Sequence, residues 1–165
     1  MAEQQLFVKM ALDAWNTYVK RTGDIFSSLT DEGIQTEVAP GRNTGTYLLG
    51  HLVAVHDRMI ELFSLGERLY PQLDEAFLKN PDKSGLDMPD VPTLRTYWVT
   101  VHSTLGDYFA AMQPPDWFTR HSSVSEEDFA KEPHRNKLNL LMNRTNHLAN
   151  HYGQLIFLKP KTKED

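Results

Sequence analysis

Apolar residues recur at helical spacing over four long stretches of this chain, each the pattern of a helix that buries one face. In the first, from about Gln4 to Leu29, Phe7, Ala11, Ala14 and Tyr18 form one row and Val8, Leu12, Trp15 and Val19 a parallel one. Thr30-Asp31-Glu32-Gly33 and then Pro40-Gly41 read as the loop that follows. A second stretch begins after Asn43 or Thr44, either of which can cap a helix, and runs through Leu48, Leu52, Val55, Met59 and Leu62 before fading near Gly66. Leu94, Trp98, Val101, Leu105, Tyr108 and Met112 trace the third, which starts at Pro92 or Thr93 and ends at Pro114-Pro115. The fourth runs from about Arg135 to Leu158, closed by Pro160, with Met142, Leu148, Tyr152, Leu155 and Ile156 as its apolar stripe.

Between these stretches the periodicity breaks. Pro71, Pro81, Gly85, Pro89 and Pro92 make residues 67–92 a long crossover with one short helical turn at Leu73 to Leu78. In the connection from Asp116 to Pro133, Ser125-Glu-Glu-Asp128 resembles a capping box for another short turn. Nothing alternates with the period of a strand. The expectation is a single all-α domain over residues 1–165, a four-helix bundle whose two long connections let non-adjacent helices pair.

Composition narrows the chemistry. The chain has no cysteine, so disulfides, thiolate ligands and cysteine nucleophiles are all excluded, and a metal site would be built of nitrogen and oxygen. A net charge of -5, with only the short Lys159-Pro-Lys161-Thr-Lys163 tail as a basic cluster, argues against nucleic acid as a partner. That tail reads as a frayed, solvated end. Met-Ala-Glu-Gln-Gln lacks the features of a signal peptide and no apolar run approaches a membrane span, so the expected location is the cytoplasm, off the membrane.

Seven histidines remain to be placed. His147 and His151 lie one helical turn apart, roughly 40° around the axis, a spacing that lets two imidazoles reach one metal ion. They adjoin the apolar stripe and so face the core or its edge. A stable site wants a third ligand from another helix, and His51, which borders the buried face of the second helix, is the natural one. His56 lies about 140° further round that helix and reads as surface or outer shell. His102 shares a row with Trp98, Leu105 and Phe109 and reads as a packed, hydrogen-bonded histidine, with a place in the outer shell or pocket of the site as the alternative. His121 and His134 fall in loops. Gln154 is placed to orient His151 or nearby backbone, and Asn143 and Arg144, one turn before His147, to face an incoming anionic group; plain solvation on the helix surface competes for each.

Other chemistries lack their residues. Leu148 follows His147, so the glutamate of a zinc peptidase H-E-x-x-H is missing, and no glutamate has a histidine three positions later as di-iron bundles require. G-x-S-x-G, P-loop and dinucleotide fingerprints are missing too.

Leu48-Leu-Gly-His51-Leu on the second helix and His147-Leu-Ala-Asn-His151-Tyr-Gly-Gln154-Leu155 on the fourth give the chain its likeness: over nearly its whole length it resembles the DinB/YfiT-like family of helical-bundle metal proteins. That resemblance implies an up-down-down-up four-helix bundle, a three-histidine site at His51, His147 and His151 for a divalent metal, and a homodimer. The family includes thiol-dependent S-transferases and an isomerase, so a small-molecule substrate and a low-molecular-weight thiol are implied partners. Three neutral imidazoles leave a cation open positions, with zinc or nickel fitting best. Two expectations stand together: a metal-dependent thiol S-transferase acting on small electrophiles, and a metal-binding stress or accessory protein without turnover.

Overall fold

A computed structural model describes residues 3–159. Four long helices carry it: α1 (Glu3–Ser28), α2 (Gly45–Leu62), α3 (Val91–Ala111) and α4 (Lys137–Leu155). Shorter helical turns at Asp31–Ile34, Pro71–Leu73, Glu75–Lys79, Pro114–Phe118, Glu126–Lys131 and Ile156–Leu158 lie in the connections or follow α4. No strand forms among the described residues, where β-pairing is limited to isolated bridges at Glu37–Thr44 and Arg120–Asn136. Pro160 and the lysines beyond it lie outside the described residues.

Side-chain caps set the helix starts. Thr44, not Asn43, caps α2 by accepting the Tyr47 N–H at 3.1 Å. Asp90 accepts the Thr93 N–H at 2.9 Å, so α3 begins at Val91, before the expected Pro92 or Thr93, and Pro92 sits in a first turn where its missing N–H costs nothing. Asn136 Oδ1 takes the Asn139 N–H at 2.9 Å and starts α4 two residues later than Arg135. Ser125 caps the turn Glu126–Lys131, as its capping-box pattern suggested.

α1 packs chiefly on α4, and α2 on α3, with lesser contacts from α1 to α3 and α2 to α4. The side chains give the directions. Ring pairs His56–His102 and Phe63–Phe109 advance together along α2 and α3. The end of α2 meets the chain just before α4, where Ser122 N–H donates to the Leu62 carbonyl at 2.9 Å and Lys137 N–H to that of Thr119 at 3.0 Å. Gly45 at the start of α2 lies against Leu158 just past α4. α2 and α4 therefore run in opposite senses.

Two apolar rows need correcting. On α1 the core takes Val8, Trp15, Ile25 and Phe26, whereas Phe7, expected on a buried row, is 57% exposed. A helix with one main neighbour buries one stripe, and the row of Phe7 lies beside it. On α4, Leu148 and Leu155 are buried but Met142 is exposed, as is Ile156 in the turn that follows the helix.

The crossover is held by a charge that has left water. Asp57 on α2, fully buried, accepts the N–H groups of Leu69 (2.8 Å) and Tyr70 (3.1 Å) and the Arg68 Nε–H (3.1 Å). Arg68 also grips Asp74 with two nitrogens, at 2.7 and 2.5 Å, so the buried carboxylate is neutralised and hydrogen-bonded. Beyond this anchor the turn Glu75–Lys79 presses the buried Phe77 ring onto Gly50, where any side chain would collide with it. This contact brings the Phe77 carbonyl to α2.

Candidate metal centre

His51 from α2 meets His147 and His151 from α4. The Nε2 atoms of His51 and His147 are 3.2 Å apart and those of His147 and His151 3.1 Å; the potential ligand atoms of all three lie within 4.8 Å of one another. Their rings face one another edge-on or tilted, 4.5 to 5.2 Å between centroids, so the nitrogens converge instead of the ring faces stacking.

Hydrogen bonds on the far side of two rings fix which nitrogen carries the proton. A backbone carbonyl can only accept, so the 2.9 Å contact from His51 Nδ1 to the Phe77 oxygen requires Nδ1–H. His151 Nδ1 donates likewise to Gln154 Oε1 at 3.0 Å. In the neutral imidazoles both Nε2 lone pairs then point inward at His147 Nε2. Lone pairs gathered this closely repel unless a proton or a cation lies among them. For a tetrahedral ion with nitrogen bonds of about 2.0–2.1 Å the donor atoms would stand about 3.3 Å apart, close to the separations found. The donor set fits a divalent cation of intermediate softness.

Electrostatics keep the donors neutral. Burial lowers the pKa of all three histidines. His147 falls to about 4, through burial first and then the neighbouring His151, His51 and Arg144. For His51 and His151 the bonds to Phe77 and Gln154 oppose the fall in part. All three imidazoles are therefore available as ligands near pH 7.

Behind the centre lies a second pair, in which His102 is the packed, hydrogen-bonded residue expected and His56 is not where the sequence pattern put it. His56, expected at the surface or in an outer shell, is 0% exposed; it packs edge-on to Trp15 with centroids 4.8 Å apart. His102 Nδ1–H donates to the Trp98 carbonyl at 2.7 Å, leaving its Nε2 to accept from His56 Nδ1–H at 2.9 Å. This chain leaves His56 Nε2 as a buried acceptor without a protein partner, and His147 Nδ1 is buried and unpartnered too. The α1 tryptophan that encloses the pair lies far away in sequence, and the 140° offset from His51 gave no sign of it.

The remaining candidates divide. Gln154 touches His151 directly. Arg144 is partly buried, with its Nε unpartnered, while Asn143 is exposed on α4 and makes no side-chain hydrogen bond among the described residues. His121 Nδ1 meets the Ser123 hydroxyl in its loop, and His134 is exposed. The Phe77 carbonyl escaped the sequence reading because a backbone oxygen leaves no residue-type signal; the only hint was Gly50 beside His51, which permits the close approach.

Comparison with known proteins adds one relationship. No curated protein matches the chain. The sequence model of the DinB superfamily matches residues 14–155, a span that takes in His51, His147 and His151, and the chain belongs to that superfamily.

Proposed function

We propose that His51, His147 and His151 hold a divalent cation, zinc or nickel, and that the protein is a thiol S-transferase acting on small electrophiles. The observation that carries this reading is the convergence of three imidazole nitrogens, with the lone pairs of His51 and His151 turned inward by bonds behind their rings. The cation would supply Lewis acidity, lowering the pKa of a thiol or water beside it toward neutrality. The chain supplies the rest. Phe77 and Gln154 orient two of the rings, burial keeps the donors unprotonated, and the positive charge of Arg144 favours an anion at the centre. In the transfer, the thiol gives its proton to solvent, sulfur forms a bond to the electrophilic carbon, and the leaving group departs with its electron pair.

The same reading takes the four helices as an up-down-down-up bundle. It is supported by the parallel advance of α2 and α3, by the opposite sense of α2 and α4, and by a crossover long enough to return the chain along α2. A homodimer is part of it: Phe7, Met10 and Met142 expose apolar surface where α1 and α4 meet, the face on which a second copy would pack.

One observation favours the non-catalytic alternative, a metal-binding accessory protein: among the described residues no carboxylate joins the three histidines, so no protein base stands within the group. The zinc- or nickel-loaded protein should therefore be incubated with low-molecular-weight thiols and model electrophiles. Metal-dependent thioether formation, lost in His151→Ala, is expected; tight metal binding without product would favour the accessory role.

A further inference from the structure

Two guanidinium groups, those of Arg144 and Arg58, make no ion pair among the described residues. Arg68, Arg95, Arg120 and Arg135 each contact a carboxylate oxygen within 4.0 Å. Arg144 and Arg58 make neither an ion pair nor a side-chain hydrogen bond among the described residues, and the Arg144 Nε is buried without a partner. The carboxylates around Arg58 make no ion pair with it, although its charge helps to lower the Asp74 pKa after that of Arg68. Asp57 is taken by Arg68 and the backbone of Leu69 and Tyr70, Asp74 by Arg68, and Glu61, one turn on, is unpaired.

Helix geometry puts both cations on the side of the metal ligands. Arg58 lies seven residues after His51 on α2, about 20° from it around the axis and about 10 Å along. Arg144 lies one turn before His147 on α4. Since the end of α2 meets the start of α4, the two arginines lie on the same side of the histidines. Their charges interact, for Arg144's pKa is lowered by burial first and then by Arg58. A buried, unpartnered N–H on a cation costs free energy that a bound oxyanion would recover. In a chain of net charge -5 such a local excess of positive charge is not a general property of the surface.

We propose that Arg144, with Arg58 beside it, forms an oxyanion subsite adjoining the three-histidine centre, and that the thiol taken there carries a carboxylate. The proposal rests on the metal-centre reading above for the word thiol, but not for the anion. Arg144 offers the planar donor set that matches a carboxylate, and Arg58, exposed on α2, adds positive charge beside it.

The test is calorimetric titration of the zinc-loaded full chain with 3-mercaptopropionate and with its methyl ester, which share the thiol and differ in the charge. The acid should bind about tenfold more tightly than the ester. That gap should close in Arg144→Gln, survive in part in Arg144→Lys, and narrow in Arg58→Gln. Equal binding of acid and ester by the wild type, or an undiminished gap in an Arg144→Gln protein whose circular dichroism and melting are normal, overturns the proposal. Should Arg144→Gln fail to fold, the exposed Arg58→Gln decides on the same criterion. Elemental analysis separates the two readings. If the protein takes up no zinc, the metal reading fails, and titration of the metal-free chain with propionate, followed by NMR at the Arg144 Nε–H, decides the subsite: a shift supports it and its absence overturns it.

Discussion

At the scale of single residues the three-histidine cluster depends on atoms that lie outside it. Gln154 holds the His151 ring through Nδ1 and should matter nearly as much as a ligand. Gln154→Ala is expected to weaken zinc binding about 10- to 100-fold while leaving the helical content unchanged, as measured by competition with a chromophoric chelator. His56 makes a different prediction. It is buried among Trp15, Trp98 and His102, so His56→Ala removes a packed ring and strands the His102 lone pair. It should cost about 2–4 kcal/mol in urea unfolding of the metal-free protein. The sequence marked His51, His147 and His151 because spacing, stripe and family likeness pointed to the same residues, and the structure brings those three together. It said little about His56, because what encloses that ring comes from α1 and α3, and periodicity along one helix cannot show which helices will surround it.

At the scale of elements, the four helices were legible because each repeats its apolar positions over many turns. Their ends were less so. Thr44, Asp90 and Asn136 each fix a boundary by one side-chain hydrogen bond, and several capable residues stand near each site. Thr44→Ala should therefore lower stability by about 1 kcal/mol in a denaturant titration. The crossover was legible only as a long irregular segment, because its order comes from Asp57 collecting distant backbone N–H groups. What it brings to the three histidines is one carbonyl, that of Phe77. Gly50→Ala would put a methyl group into the Phe77 ring and push the turn off α2, so it should lower zinc affinity as well as stability. If Gly50→Ala loses stability but binds zinc as tightly as before, the Phe77 carbonyl does not orient His51.

For the molecule as a whole, the unusual feature is a set of histidines kept neutral by the fold. His102 and His147 titrate near pH 4, and His51, His56 and His151 are lowered as well, all primarily through burial. In the unfolded chain a histidine takes up its proton near pH 6.5. Between these values the unfolded state binds more protons, so stability falls as the pH drops from about 6.5 toward 4. Each such histidine can steepen the fall by up to about 1.4 kcal/mol per pH unit. Urea titrations of metal-free protein across that range should show the decline, and His102→Leu should make it shallower. Bound zinc should oppose it near neutrality, because ligation holds the imidazoles unprotonated. No helix of the described residues is long and apolar enough to cross a membrane, and Phe7 and Met142 are exposed at the edge where α1 and α4 meet. Light scattering of Phe7→Glu beside the wild type should show a dimer converted to a monomer.

The most direct test of the account is the metal content of the untagged protein, by elemental analysis, after equilibration with one equivalent of zinc or nickel and removal of the excess. One ion per chain is expected in the wild type and little or none in His51→Ala, since the third ligand comes from a separate helix. Full occupancy in His51→Ala, or none in the wild type, would contradict it.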